Sequence, residues 1–295
     1  MKSKKYFLLF GITFVFLLLS YTILFLPTES KTTIPNEQRV QSLQTNKNEF
    51  KEPLELHPTN ENSYSNSDEI KVEKKVFITF DDGPSTITPP ILELLKKHNV
   101  PASFFVVGKN MEENPEIVQR AYNEGHMILT HSYTHDYSIY TSLESFYDDF
   151  SKAEEVYHEV LNKEPPNLFR FPGGSSNHSS FAYGGKQLMP KLTRDIKKKG
   201  YTYIDWNVSS GDAGPHANDG VSMEESIVEY SEDNNLVVLL FHDTPNNNTT
   251  AEILPNIISY YKNQGYQFRS FRDVTESELN KMKHLQIANK IIEHK

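Results

Sequence analysis

Two adjacent carboxylates end an apolar run in this chain, in Val76-Phe77-Ile78-Thr79-Phe80-Asp81-Asp82-Gly83-Pro84. Acidic side chains at the carboxyl end of a buried strand stand where α/β enzymes gather their chemistry. Neighbouring residues of an extended chain point in different directions, so the two aspartates can hold different tasks, such as metal ligand and general base. Spacing alone does not say which is which. His131 and His135, in His131-Ser132-Tyr133-Thr134-His135, supply imidazoles at i and i+4, which face the same way on a helical turn. With one carboxylate they make a two-histidine, one-aspartate site that leaves positions open for water and substrate. Arg170 precedes Phe171-Pro172-Gly173-Gly174. An arginine there can brace a carboxylate by charge-assisted hydrogen bonds, and the glycines let backbone approach a ligand. Asp205-Trp206 and Leu240-Phe241-His242 close two further strand-like runs. A histidine ending a buried strand is as readily a satisfied core residue as an acid, so His242 takes its meaning from its company.

These motifs, in this order, resemble the polysaccharide deacetylase family, also called the NodB homology domain or carbohydrate esterase family 4. The resemblance runs over roughly residues 75–273 and rests on TFDDG, HSYTH, RFPGG, DW and LFH as they stand here. It implies that Asp82, His131 and His135 bind a divalent metal, zinc first, with cobalt, nickel or manganese as substitutes. It implies Asp81 as general base with Arg170 as its partner, and His242 as the general acid that protonates the departing amine. Asp205 would hold His242 in one tautomer, and Trp206, the one tryptophan, would line the groove against that histidine. The Gly173 N–H would be a second oxyanion donor, Leu240 would lie under the acetyl methyl, and Pro172 is a position oxidised at its α-carbon in some relatives. Many relatives carry a tyrosine where Gly173 stands, so any contact from that side chain is missing here.

Composition narrows the class. Cysteine is absent, which removes disulfides, thiolate metal sites and a cysteine nucleophile. A net charge of −9 argues against nucleic-acid binding. Lys2, Lys4 and Lys5 precede the uncharged run Tyr6–Leu26, which at ~20 residues is long enough to span a bilayer. The lysines place the N-terminus in the cytoplasm and all that follows outside. No small-x-small cleavage site follows, so residues 1–26 read as an uncleaved signal anchor, with a secreted product if cleavage occurs. Residues 27–74 are rich in Asn, Ser, Thr, Glu, Gln and Lys and read as a flexible extracellular linker.

From Val76 onward strands and helices alternate. The strand-like runs are Val76–Phe80, Ala102–Val107, His126–His131, Leu168–Phe171, Tyr201–Trp206, Leu236–Phe241 and Gln267–Phe271. Helical patterns lie between them at Pro89–His98, Pro115–Asn123, Leu143–Asn162, Lys186–Lys199, Met223–Ser231 and Ala251–Asn263. Such alternation predicts parallel strands with helical crossovers. The seven strand candidates agree with the distorted (β/α)7 barrel that the resemblance implies. Residues 274–295 read as a charged helical tail without an evident task. The whole describes a membrane-tethered, monomeric deacetylase of cell-wall glycan, with the N-acetylglucosamine of peptidoglycan as substrate. Chitin oligosaccharides, acetylated xylan and muramic acid are the alternative substrates, and a silent glycan-binding module is the alternative class.

Overall fold

The computed structural model describes residues 73–293. The anchor at residues 6–26 and nearly all of the linker lie outside the described residues. Among the described residues no helix is long and apolar enough to cross a membrane.

The sheet is built from β1 (Lys74–Asp81), β2 (Ser103–Val107), β3 (Met127–Ser132), β4 (Leu168–Phe169), β5 (Thr202–Tyr203), β6 (Val208–Ser209), β7 (Leu236–His242) and β8 (Tyr266–Arg269). The order is β5-β4-β3-β2-β1-β7-β6, and β8 pairs with the first half of β1. Every ladder is parallel. The result is a curled, half-barrel α/β sheet whose ladder does not close between β5 and β6. Parallel strands covered on both faces read as continuous apolar runs, which is why β1 and β7 carry so little polarity.

Alternation along β1 sorts its side chains. Val76, Ile78 and Phe80 face a helix layer that includes α1 (Thr88–His98) and α2 (Asn248–Asn263), through Ile91, Leu92, Leu95, Leu254 and Ile258. Phe77 faces the inside of the curl with Phe105, Leu129 and Val238. Thr79 and Asp81 share that inner face by the same period of two. A strand paired on both sides therefore delivers Asp81 to the interior and to the end of the sheet where the loops meet.

Two differences from the sequence reading matter for the site. β6 was not expected, because two residues carry no readable period. The run Tyr201–Trp206 is strand only at its start. Ile204 bridges antiparallel to Ala288, and the Asp205 N–H donates to the Ile287 carbonyl at 2.7 Å. The chain thus leaves the ladder just before Asp205.

The segment after residue 273 contains a helix, α3 (Glu276–His284), and it packs into the body of the protein. Met282, Ile287 and Ala288 are buried against the inner face of the sheet with Phe77 and Phe271. Thr275 caps α3 in a capping box with Glu278. The Glu278 carboxylate, 4% exposed, meets Lys75 Nζ at 3.2 Å and Arg269 Nε at 3.1 Å. Burial opposes its ionisation, but the Thr275 N–H, Arg269 and Lys75 outweigh that and hold its pKa down to about 2. A depressed carboxylate contributes stability that is complete above its ordinary value of 4.5 and is lost as pH falls through about 2. Glu278→Ala is expected to lower unfolding free energy at neutral pH by about 2 kcal/mol, since it removes the charge-assisted bonds of a buried carboxylate to the Thr275 N–H, Lys75 and Arg269. Urea titration checks this: the deficit should shrink as the pH is taken below 4.5.

Candidate active site

Asp81 is the last residue of β1, and its carboxylate accepts from Arg170 Nη1 at 2.7 Å. Arg170 is wholly buried. Its Nε donates to the Ile204 carbonyl at 2.9 Å, Nη1 also to Thr79 Oγ1 at 2.9 Å, and Nη2 to the Asp205 carbonyl at 3.1 Å. Its plane lies over the Phe105 ring, 4.1 Å from the centroid. A guanidinium with this many partners has one possible place, so Asp81 is held in one orientation.

Asp82 turns out of the strand with φ of 74°, a conformation aspartate tolerates better than most residues. Gly83 follows because a Cβ there would collide with the Asp243 carboxylate. His131 is still in β3, and His135 sits in the following loop with φ of 59°, so the pair is not on a helical turn as the i, i+4 spacing suggested. A carboxylate shapes that loop instead: Asp149 accepts from the N–H groups of Tyr133 and Thr134 and from the Thr134 hydroxyl. The rings converge all the same, with centroids 5.1 Å apart.

Asp82 Oδ1 lies 3.0 Å from His135 Nε2 and 3.4 Å from His131 Nε2. His131 Nδ1 faces the Arg170 carbonyl at 2.7 Å. A carbonyl only accepts, so the proton is on Nδ1 and Nε2 presents a lone pair. The Asp82 oxygen is buried and has no hydrogen-bond partner. Among the described residues these three offer ligand atoms all within 4.8 Å of one another. An orphaned carboxylate oxygen facing two imidazole nitrogens fits a divalent cation of the kind that takes nitrogen and oxygen ligands.

His242 ends β7, and its Nδ1 pairs with Asp212 Oδ1 at 2.7 Å. Asp212 Oδ2 accepts from the His242 N–H at 2.7 Å and from the Thr250 hydroxyl at 2.8 Å. Burial works against the imidazolium, but Asp212, with Asp81 and Asp82 behind it, raises the pKa of His242 to about 9.

The expectation that Asp205 holds His242 is therefore corrected. The Asp205 carboxylate accepts from both the N–H and the hydroxyl of Ser175, on the Pro-Gly-Gly side of the site. The reason is the early break in β5: Asp205 leaves the ladder beside Ile287, while β6 pairs with β7 and carries the next loop, with Asp212, to His242. The missed signal was Ser209-Ser210-Gly211-Asp212, an acid at the end of a very short strand.

Asp81, Asp82, His131, His135, Gly173, Trp206, Leu240 and His242 all line one cavity of about 400 Å³, joined by Tyr137, Ser209, Gly211, Ala213 and Gly214. Arg170, Pro172 and Asp205 stand behind its wall. Trp206 packs on Gly174, where a Cβ would lie 2.9 Å from the ring, and faces Arg170. A braced carboxylate, a cation-ready cluster and a braced imidazolium around one cavity can deliver a water to a carbonyl and a proton to its leaving group.

Known proteins share this arrangement of chain. Residues 68–188 match the family model described as polysaccharide deacetylase. A peptidoglycan-N-acetylglucosamine deacetylase of Bacillus cereus is 33% identical over 233 residues, which cover 78% of this chain and 98% of that protein. One from Listeria monocytogenes is 31% identical over 199 residues, covering 67% of this chain but 38% of the longer relative. The crystal structure of the catalytic domain of a peptidoglycan N-acetylglucosamine deacetylase from Eubacterium rectale superposes with a TM-score of 0.63 at 33% identity, covering 69% of this chain and 90% of that one. Fold and relatives together define a hydrolase of the deacetylase class. The chain belongs to the polysaccharide deacetylase family.

The raised pKa of His242 has a sign that can be tested. The His242–Asp212 pair contributes stability that is complete below the ordinary histidine value of 6.5 and fades as pH rises through about 9. In metal-free protein, Asp212→Asn should lower the melting temperature at pH 6, and the gap from wild type should narrow at pH values above about 9. A gap that does not change with pH would show that the pair is not the source.

Proposed function

We propose that this protein is a metal-dependent deacetylase of cell-wall glycan that removes N-acetyl groups from the N-acetylglucosamine of peptidoglycan and releases acetate. The observation that carries the reading is the buried, unpartnered Asp82 oxygen facing two imidazole nitrogens, set between an arginine-braced carboxylate and a carboxylate-braced imidazole. Names of relatives support the substrate. Asp82, His131 and His135 would hold the cation, zinc in this reading, with cobalt, nickel and manganese able to substitute at such a donor set. When bound, the cation supplies Lewis acidity to the attacking water and to the acetyl carbonyl.

The residues of the chain do the rest. Asp81, kept in place by Arg170, takes the proton of the attacking water as its oxygen bonds to the acetyl carbon. The Gly173 N–H donates to the carbonyl oxygen as charge gathers there. His242, protonated and oriented by Asp212, gives its proton to the nitrogen as the carbon–nitrogen bond breaks. An amide needs that acid, because an unprotonated amine leaves badly. Leu240 offers apolar surface to the acetyl methyl. Asp205 supports the turn that carries Gly173 through its bonds to Ser175. The intact set of Asp81, Asp82, His131, His135 and His242 speaks against a silent binding module. In the same reading the uncharged run at residues 6–26, behind Lys2, Lys4 and Lys5, anchors the enzyme with its catalytic part outside the membrane.

The test uses the full-length protein, stripped of metal and then reloaded with zinc or cobalt. Acetate release is measured on peptidoglycan, chitin oligosaccharides and acetylated xylan. Metal-dependent release from peptidoglycan is expected, with Asp81→Asn lowering kcat by roughly 10²–10⁴-fold. Release from another polymer alone would move the substrate, and binding without release from any of them would reduce the protein to a glycan-binding module.

A further inference from the structure

We infer that Tyr140 is a positioning residue for the reaction: its hydroxyl sets the flip of the Pro172–Gly173 peptide and so aims the Gly173 N–H into the cavity. The inference rests on the reading above, in which that N–H serves the developing oxyanion.

The turn itself is defined by its backbone. The Gly174 N–H donates to the Phe171 carbonyl at 2.8 Å, and Gly173, at the third position, has φ of 72°. With proline at the second position, this is a type II turn. Types I and II share the same closing hydrogen bond and differ by a near half-rotation of the central peptide, here Pro172–Gly173. The turn bond alone therefore does not decide which way the Gly173 N–H points.

Tyr140 decides it. Its side chain is fully buried, and its hydroxyl donates to the Pro172 carbonyl at 2.9 Å. A carbonyl can only accept, so the phenolic proton lies on the line to the Pro172 oxygen. In a trans peptide the C=O and the following N–H point opposite ways. A carbonyl held toward buried Tyr140 turns the Gly173 N–H the other way, and Gly173 lines the cavity. Among the described residues no backbone carbonyl accepts from that N–H. A flipped peptide would also leave the Pro172 oxygen without its partner and the phenol without its acceptor, so burial makes the choice firm.

A second tyrosine of the same short 3-10 helix, Tyr137–Thr141, closes on the turn from the cavity side. Its hydroxyl would lie 2.6 Å from a Cβ on residue 173. Tyr137 also sets its ring edge-on to His135, with centroids 6.1 Å apart. The helix follows His135 directly, and the Asp136 side chain caps its first turn by accepting from the Ser138 N–H. One short element thus links the loop that carries His135 to the peptide that carries the oxyanion donor.

The test compares full-length wild type with Tyr140→Phe, loaded with zinc, on the substrate that wild type turns over. Removing the hydroxyl while keeping the ring should lower kcat about tenfold or more, as expected when one oxyanion donor loses its aim. KM and zinc affinity should stay within about twofold, because ground-state binding does not use that donor. Incorporating 4-aminophenylalanine at position 140, which restores a donor at the same place, should recover much of kcat. Unchanged kcat in Tyr140→Phe overturns the inference. So does a loss of kcat that 4-aminophenylalanine fails to recover, or one matched by changes in KM and zinc affinity, since ring packing alone would then be at work. Should the phenylalanine variant not fold, 4-fluorophenylalanine at position 140, which fills the place of the hydroxyl without a donor, takes its part: lowered kcat at constant KM is expected, and wild-type kcat overturns the inference. Wild type that releases no acetate with any metal would instead remove the functional reading on which this one stands.

Discussion

The buried guanidinium of Arg170 is the interaction on which the rest of the structure leans. Taking such a charge out of water costs several kcal/mol, so it persists only where the surrounding groups repay the loss of water. Here Asp81, Thr79 and the carbonyls of Ile204 and Asp205 take its donors, and the Phe105 ring covers one face. Those partners come from β1, β2 and the stretch after β5, while Arg170 itself follows β4. One side chain therefore locks the ends of several parallel strands together at the inner face. It also offers its own carbonyl to His131 Nδ1, so the same residue that orients the carboxylate of Asp81 selects the tautomer of a candidate metal ligand.

Opposite it, a second carboxylate performs the complementary task. Asp212 holds His242 from the side and from its backbone, and Thr250 steadies Asp212 in turn. The environments pull in opposite directions: Asp82 faces the lone pair of His131 in a place shaped for a cation, while His242 is held protonated well above its ordinary range. Separating the protonation of neighbouring groups in this way is how a single cavity keeps a ligand anionic and an acid charged at the same pH.

The loops that carry these groups are shaped by buried polar contacts more than by regular structure. Asp149 gathers the backbone of Tyr133 and Thr134 and so turns His135 back toward His131. Asp243 fills the space beneath Gly83, which leaves glycine as the residue that lets Asp82 leave the strand there. The Ser175–Asp205 bonds and the Tyr140–Pro172 bond fix the Pro-Gly-Gly turn from two sides. Rigid strands set the distances, and local hydrogen bonds set the directions.

Much of this was legible in the order of residues. The apolar run of β1 ending in Asp81-Asp82 predicted a buried strand with its acids at the working end, because a parallel strand buried on both faces must read that way. The histidine pair, Arg170 and His242 were visible for the same reason: each ends or follows a strong strand signal. Three things were not. The two-residue strand β6 has no period to detect, so Asp212 was passed over and its task given to Asp205. The four-residue spacing of His131 and His135 suggested a helical turn, whereas a strand end and a left-handed residue bring them together. The helix after residue 273 looked like a charged tail without a task, because its charges are plain in the sequence and the partners of Glu278, Lys75 and Arg269, are not. Residue types and their spacing determined which chemistry this chain could perform. Which carboxylate meets which histidine, and which way one peptide faces, was decided only by tertiary structure, because those pairings join residues far apart in the chain through contacts that exist only once the sheet has curled.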